Sequence, residues 1–87
     1  MTVRFHRNFE KRYRLLRPTE RKKTDERLLL FLQDPYHPLL NNHPLKGKYL
    51  NYRSINITGD LRALYKLLQP GTYFFVTIDT HSNLYRS

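Results

Sequence analysis

The sequence predicts an α+β fold in which an antiparallel four-stranded sheet is backed by two N-terminal helices, in the order β-α-α-β-β-β. Three observations support this prediction. Apolar residues recur at helical spacing between Phe9 and Leu32, they alternate with period two after Tyr52, and short turns separate the later segments. Because no helix is predicted between the last three strands, the long crossovers that a parallel sheet requires are missing there.

The first strand and the first helix are predicted from residues 2 to 17. Val3 and Phe5 alternate with polar neighbours, as they would in a short strand. Three apolar residues then recur at helical spacing: Phe9, Tyr13 and Leu16. Pro18 ends this pattern, because a proline in a helix interior removes a backbone hydrogen bond and clashes with the preceding turn.

A second helix is expected to open at Thr19, whose hydroxyl can cap backbone amides, and to end near Asp34-Pro35. Four residues lie on the stripe that would face the sheet: Thr24, Leu28, Phe31 and Leu32. The opposite face is basic and carries Arg21, Lys22, Lys23 and Arg27. This basic face is interpreted either as a solvated helix surface or as a surface that follows the phosphates of a nucleic acid.

Three strands are predicted in the second half of the chain. Residues 35 to 51 contain three prolines and three asparagines without a sustained period, which indicates an ordered connection. Period two begins at Tyr52, and a turn at Thr58-Gly59-Asp60 leads into a strand over residues 61 to 68. The last strand, Tyr73 to Ile78, is almost wholly aromatic or β-branched, so it is expected to be central or most buried.

Length and charge indicate one basic domain over residues 1–87. Sixteen Lys and Arg against seven Asp and Glu give a net charge of +9, with +6 in residues 1 to 33 and +3 in residues 34 to 87. Such a balance favours polyanionic partners. The chain has no cysteine, and its longest apolar run, Leu28 to Leu32, is far shorter than the roughly 20 residues that cross a bilayer. A cytoplasmic protein with no membrane partner is therefore expected.

The segment after residue 42 carries residues that suit RNA cleavage without a metal. This reaction uses the neighbouring 2′-hydroxyl as nucleophile and needs proton transfer, positive charge for the phosphate and an aromatic face for a base. Histidine titrates near neutrality and arginine stays charged, so they suit the first two tasks. The candidate catalytic residues are His43, Asp60, Arg62, His81 and Tyr85.

Each candidate also has a structural interpretation. His81 could be a surface histidine, Asp60 an ordinary turn aspartate, Arg62 a strand arginine paired with a carboxylate, and His43 part of a solvent-exposed loop. The candidate RNA-binding residues share positive charge or hydrogen-bonding capacity: Lys46, Lys48, Arg53, Asn56, Lys66, Arg21, Lys22 and Lys23.

No metal and no cofactor are expected. His6 and His37 lie in no spacing that a zinc site would use with the other histidines, and there is no cysteine to complete such a site. The three glycines, Gly47, Gly59 and Gly71, are too far apart to form a loop that cradles phosphates.

The motifs of residues 43 to 85, taken in order, resemble the toxins of the RelE superfamily from bacterial type II toxin-antitoxin systems, and most closely the YafQ branch. The matching segments are His43-Pro-Leu-Lys-Gly47, Tyr52-Arg53, Asp60, Leu64-Tyr65-Lys66 and Thr80-His81 followed by Leu84. Over residues 1 to 42 the resemblance consists of length, helix order and basic charge. Asn56 stands where that branch can carry a further histidine, and Leu61 where it can carry a tryptophan.

The resemblance implies a fold like that of small microbial ribonucleases and metal-independent cleavage of mRNA in the ribosomal A site. It implies His81 as the leading proton-transfer residue, His43 and Asp60 as further proton-transfer or orienting groups, Arg62 as the phosphate contact and Tyr85 as the aromatic position. The resemblance implies a cognate antitoxin as partner. The free toxin would be monomeric and would form a hetero-oligomer with the antitoxin.

Two other functions remain open from the sequence. The same fold resembles the ParE toxins, which act on DNA gyrase and do not cut RNA, so the fold alone does not decide the function. Asn56 hydrogen-bonds but does not transfer protons near neutrality, which leaves open a degenerate module that binds RNA or the ribosome without turnover.

Overall fold

The computed structural model describes residues 1–85. These residues form five strands and three α-helices, which are, in order, β1 (Thr2–Phe5), α1 (Arg7–Leu15), α2 (Pro18–Gln33), β2 (His43–Pro44), β3 (Arg53–Asn56), β4 (Leu61–Gln69), β5 (Thr72–Thr80) and α3 (His81–Leu84). Two short 3₁₀ helices, Pro38–Leu40 and Gly47–Tyr49, lie in the connection between α2 and β3. None of the helices within residues 1–85 is both long and apolar enough to span a membrane.

The sheet is mixed and has five strands in the order β1-β5-β4-β3-β2, so the prediction of a four-stranded antiparallel sheet is corrected. The predicted meander of β3, β4 and β5 is antiparallel, whereas β1 pairs in parallel with β5. This parallel pair could not be inferred from turns, because the connection between the two strands contains both long helices and the other three strands. The central strand is β4, and β5 lies between β4 and β1.

Two short elements were not predicted. The strand β2 has two residues, one of them Pro44, and is too short for any period in the sequence to show it. The helix α3 has four residues and begins where the Thr80 hydroxyl accepts a hydrogen bond from the Asn83 N–H at 3.1 Å. The strand β2 is held by its pairing with β3, and α3 is held by the cap at Thr80. Both elements position residues of the site.

The helix α2 begins at Pro18, one residue before the predicted start, with Arg17 at the N-cap position. Proline is favoured at the first helical position, because its fixed φ suits the helix and its missing N–H is not needed there. The Arg17 N–H donates to the Glu20 carboxylate at 3.0 Å, which satisfies one backbone donor at the helix start. The cap is therefore made by Glu20 and not by Thr19.

The main core lies between the helices and one face of the sheet. The ring of Phe31 is fully buried and meets the rings of Tyr65, Tyr73 and Phe75 edge-on at centroid distances of 5.0, 5.3 and 5.2 Å. Thr24 on the same helical stripe is also buried, whereas Leu32 is 46% exposed, so the stripe is narrower than predicted.

The opposite face of the sheet is only partly covered. Leu64 points to this face, because its neighbours in the strand point into the main core, and it packs against Leu45 and Leu84. The half-buried side chains of Tyr49, Tyr52 and Val76 surround this small cluster. The 3₁₀ helix Gly47–Tyr49 and α3 thus cover the middle of this face and leave open space on either side.

Candidate functional site

A pocket of about 410 Å³ opens on the partly covered face of the sheet, where β2, β3, β4 and the start of α3 meet. Its lining includes five residues that the sequence predicts for the site: His43, Lys46, Arg62, His81 and Tyr85. They come from three separate parts of the chain and are brought together by sheet pairing, since His43 lies opposite Ser54 and Asn56 lies opposite Arg62. We refer to this space as the histidine pocket.

The imidazole of His43 is held in one tautomer by the backbone. Its Nδ1 lies 2.7 Å from the carbonyl oxygen of Asn41. Because a carbonyl oxygen only accepts hydrogen bonds, Nδ1 carries the proton and Nε2 of the neutral ring keeps its lone pair. Asn41 itself has a φ of 45° at the end of the first 3₁₀ helix, which turns its carbonyl toward the ring. The arrangement can accept a proton at Nε2.

His81 and Tyr85 lie on one rim of the pocket, at the first residue of α3 and at its C-cap. The His81 N–H donates to the carbonyl of Asp60 at 2.8 Å, and the Tyr85 N–H donates to the carbonyl of His81 at 3.1 Å. The two rings lie 4.7 Å apart and tilted by 52°. An imidazole and a phenol are therefore presented together, with the imidazole able to exchange a proton and the phenol face able to stack.

The Arg62 guanidinium is fixed by the turn between β3 and β4. It donates to the carbonyls of Thr58 and Leu61 at 3.0 Å each and to the carbonyl of Gly59 at 3.2 Å. Among the described residues no carboxylate lies within 4 Å of it, so its charge is not neutralised. A guanidinium has five N–H donors, and the two that remain can hold a phosphate.

Asp60 contributes to the site through its backbone. Its carbonyl anchors His81, while its carboxylate is exposed, does not line the pocket and has no hydrogen bond or ion pair within residues 1–85. The structure thus brings Asp60 beside the pocket but does not bring its carboxylate into it.

Two buried polar side-chain atoms on β3 lack hydrogen-bond partners within the described chain. Ser54, which sequence reasoning missed, is fully buried, lines the histidine pocket and has an unpaired hydroxyl. The Oδ1 of Asn56 is also buried and unpaired. A small serine in an alternating strand looks like a core residue, and no signal in the sequence distinguishes it. Unpaired buried polar atoms are uncommon and mark places where a ligand could supply the missing partner.

Arg53 lies on the other side of the sheet, away from the pocket. Its Nε donates to the Asn42 side-chain oxygen at 2.7 Å, and its guanidinium lies 5.4 Å from the centre of the Tyr36 ring. The Asn42 amide in turn donates to the Tyr65 hydroxyl at 2.8 Å, and burial raises the pKa of Tyr65. Arg53 therefore secures the loop that leads into His43, and the structure does not bring it into the pocket; RNA contact by Arg53 stays a prediction.

The remaining predicted RNA-binding residues fall into two places outside the pocket. Lys48 and Lys66 line a neighbouring groove on the same face of the sheet. Arg21, Lys22 and Lys23 lie on α2, which packs on the opposite face; the guanidinium of Arg21 donates to the carbonyl of Leu16, and Lys22 is exposed. Within residues 1–85 no group of three His, Cys, Asp or Glu side chains could hold a metal ion.

The fold is shared with solved bacterial toxins. The chain is similar to the YoeB/ParE toxin from Agrobacterium tumefaciens at 20% identity and a TM-score of 0.77, over 93% of this chain and 99% of that one. YafQ from E. coli strain BL21(DE3) matches at 21% identity and a TM-score of 0.77, over 95% of this chain and 96% of that one. The E. coli DinJ-YafQ toxin-antitoxin complex contains a match at 21% identity and a TM-score of 0.73, over 95% and 94%.

No protein-family model and no curated protein sequence matches the chain. The likeness to YafQ that the motifs predicted is thus confirmed as a likeness of fold.

Proposed function

We propose that this chain, which has the fold of YafQ and of the YoeB/ParE toxin, is the toxin of a type II toxin-antitoxin system and a metal-independent, ribosome-dependent endoribonuclease. The observation that supports this most is the histidine pocket, in which two imidazoles, an un-neutralised guanidinium, an ammonium and a phenol converge from three parts of the chain. These are the groups that cleavage of RNA by its own 2′-hydroxyl requires.

In the proposed reaction, Nε2 of His43 takes the proton of the 2′-hydroxyl, and the 2′-oxygen attacks the adjacent phosphorus. Arg62, with Lys46 beside it, stabilises the charge that develops on the phosphate oxygens. The bond from phosphorus to the 5′-oxygen breaks, and protonated His81 donates a proton to that leaving oxygen. The products are a 2′,3′-cyclic phosphate and a 5′-hydroxyl, and Tyr85 stacks on a base beside the cut.

Asp60 enters this proposal as a positioning residue, because its carbonyl holds the first turn of α3. A further role for its exposed carboxylate stays a prediction. Asp60→Asn tests it, since this change keeps the backbone contact and removes only the charge. A rate unchanged in Asp60→Asn assigns the contribution of this residue to its backbone.

The experiment that tests the proposal expresses the wild type, His81→Ala and His43→Ala from a tight promoter and maps new 5′ ends of mRNA in growing cells. The wild type is expected to give cuts in register with codons, and each variant is expected to lose about 10²- to 10⁴-fold in rate, as for one positioned acid or base. The control His37→Asn removes an imidazole outside the pocket and keeps an acceptor for the Leu39 N–H that His37 now caps. The control is expected to cut like the wild type.

Growth arrest without cuts, unaffected by His81→Ala, would replace this proposal with gyrase inhibition of the ParE kind. The name of the Agrobacterium match, YoeB/ParE, is the observation that keeps this second function in consideration. Ribosome binding with no cut product would instead indicate a binding module, in which Asn56 and its unpaired oxygen fail to provide a proton-transfer group.

The proposal includes a cognate antitoxin with an acidic segment. One of the structures with this fold is that of YafQ in complex with DinJ, and a chain of net charge +9 attracts such a segment. In the cytoplasm, the ribosome would be the second partner, with the basic face of α2 against ribosomal RNA. Thermal melting with the product of the adjacent gene tests the antitoxin, because a tight ligand of the folded state raises the melting temperature. An unchanged melting temperature would exclude that partner.

A further inference from the structure

A second and larger groove lies beside the histidine pocket on the same face of the sheet. Its volume is about 630 Å³, and β4, β5, the start of α1 and the 3₁₀ helix Gly47–Tyr49 line it. The helix α3 separates the two spaces, since Leu84 lines the groove whereas His81 and Tyr85 line the pocket. None of the proposed reaction steps uses this groove.

The groove carries positive charge that nothing in the described chain neutralises. The ammonium of Lys48 lies 5.2 Å from the centre of the Tyr49 ring, and that of Lys66 lies 5.4 Å from the centre of the Tyr52 ring. Neither ammonium forms an ion pair within residues 1–85. The two tyrosine rings hold both ammonium groups at the groove by cation–π contact and leave their N–H donors for an anion.

Among the described residues that line the groove, the one carboxylate is already engaged. Asp79 accepts from the Arg12 guanidinium at 2.6 Å, from the Thr80 N–H at 2.8 Å and from the Asn83 amide at 3.1 Å. Arg12 and Asp79 cancel in charge, so Lys48 and Lys66 leave the groove with a net charge of +2. This charge favours an anionic ligand, and the compensated carboxylate does not oppose it.

The groove also presents aromatic surface. The half-buried ring of Phe74 lies on its floor with the His6 ring 5.7 Å away, and Tyr49 and Tyr52 lie on its wall. The tyrosines continue into the pocket, because Tyr49 lies 6.3 Å from Tyr52 and 6.1 Å from Tyr85. Lysines beside aromatic rings are the combination that single-stranded nucleic acids use, with phosphates on the cations and bases on the rings.

We infer that this groove binds the nucleotides on the 3′ side of the cut in a single-stranded RNA. The inference rests on the proposed function and adds the direction in which the RNA strand lies across the protein. His81, the group that protonates the 5′-oxygen of the leaving strand, lies on α3 at the border of the groove, whereas His43 lies at the far edge of the sheet on β2. The leaving strand therefore extends from His81 over Tyr85 and Tyr49 toward Lys48 and Lys66.

The test uses ribosomes stalled with an empty A site on messengers that end either two or ten nucleotides after the cut. The proteins are the wild type, the double variant Lys48→Ala/Lys66→Ala, and the matched control Lys22→Ala/Lys23→Ala, which loses the same charge on α2. Single-turnover rates at increasing protein concentration give the half-saturating concentration and the maximal rate for each messenger. Thermal melting of each variant establishes that it is folded.

The wild type is expected to require roughly tenfold to hundredfold less protein for half saturation on the longer messenger, the effect of about one stacked base with its phosphate. The groove variant is expected to lose this preference, and the α2 control is expected to keep it. Binding of a single-stranded RNA should show a log-log salt slope smaller by about 1.4 in the groove variant, since two phosphate contacts are lost.

Three results would overturn the inference. If the wild type had equal half-saturating concentrations on both messengers, the groove would not bind the nucleotides after the cut. A preference that persists in the groove variant, together with lost affinity for the antitoxin, would assign the groove to an acidic protein segment. Absence of any cut by the wild type would overturn the proposed function and the inference together, whereas cuts without length dependence would overturn the inference alone.

Discussion

Replacing Asp79 with alanine is expected to lower both the stability and the cleavage rate, because this residue ties α1 and α3 to the end of β5. The bond to Arg12 is charge-assisted, but the two side chains are 18% and 37% exposed, so we assign it about 1 kcal/mol and not the 1.5–3 kcal/mol of a buried one. The bonds from Asn83 and Thr80 add about 1 kcal/mol more. A loss of about 2 kcal/mol lowers the melting temperature of a domain this size by roughly 8–16 °C.

The effect on cleavage follows from the length of α3. A helix of four residues has little stability of its own and depends on its contacts, of which the Asn83 tether to Asp79 is one. A displacement of about 1 Å in a reacting group can cost on the order of 10²-fold in rate. Since α3 carries His81, Asp79→Ala is expected to show a loss of this order at a temperature at which the variant is still folded.

Asp79→Asn is the matched variant. It keeps an oxygen for Thr80 and Asn83 and loses the ion pair with Arg12, so it should cost about 1 kcal/mol and cut within about threefold of the wild type. Circular-dichroism melting gives the stabilities, and cleavage in a translation reaction gives the rates. Wild-type cleavage by folded Asp79→Ala would refute the reasoning that this carboxylate positions α3.

Three further predictions concern the stability of the fold. Phe31→Ala should cost about 3–5 kcal/mol and greatly lower the urea midpoint, because a ring that meets three others is removed. The Arg17 side chain, as hydrogen-bond donor, lowers the pKa of Glu20. The contribution of the Glu20 carboxylate to folding stability is therefore present above the unfolded pKa of about 4.3 and is lost as the pH falls below that value. Glu20→Gln should flatten the melting temperature between pH 5 and about 2. Burial raises the pKa of Tyr65, so stability should fall above about pH 10, where the unfolded chain ionises first, and Tyr65→Phe should remove this alkaline component of melting.

The contradicting outcomes differ in each case. An unchanged urea midpoint in Phe31→Ala would mean that α2 is not held by this ring. An acid profile of Glu20→Gln that matches the wild type would place the acid transition in other carboxylates. For Tyr65→Phe a lower melting temperature near neutral pH is expected, since the Asn42 amide loses an acceptor, and the test is the pH profile above pH 9 and not the absolute value.

The sequence predicted those parts of the fold that local patterns determine. Alternation and tight turns identified β3, β4 and β5 as an antiparallel meander, and helical spacing with Pro18 identified the two long helices. The pairing of β1 with β5, the two-residue β2 and the short α3 depend on contacts with distant residues, so no local period shows them. For the same reason the predicted sheet had one strand too few.

For the site, the fold brings together several residues that the sequence singled out by chemical type, whereas chemical type does not give the direction of a side chain. His43, Arg62, His81 and Tyr85 line one pocket, although they are far apart in the sequence. Arg53 was assigned to RNA because it is basic, but its strand position turns it toward Asn42 on the other face. The alternation of β3 already separated Arg53 from Asn56, so their positions on opposite faces of the sheet were predictable.

The two margins of the sheet differ in what they offer to another polypeptide. At one margin β2 has two residues, and Pro44 has no N–H to donate, so an added strand would find few backbone partners there. At the other margin β1 presents four residues without proline. Strand addition by an extended peptide, or by a second molecule of this chain, is thus directed to β1, far from the edge on which His43 lies. A partner that inhibits by this route would extend the sheet while leaving the histidine pocket physically open.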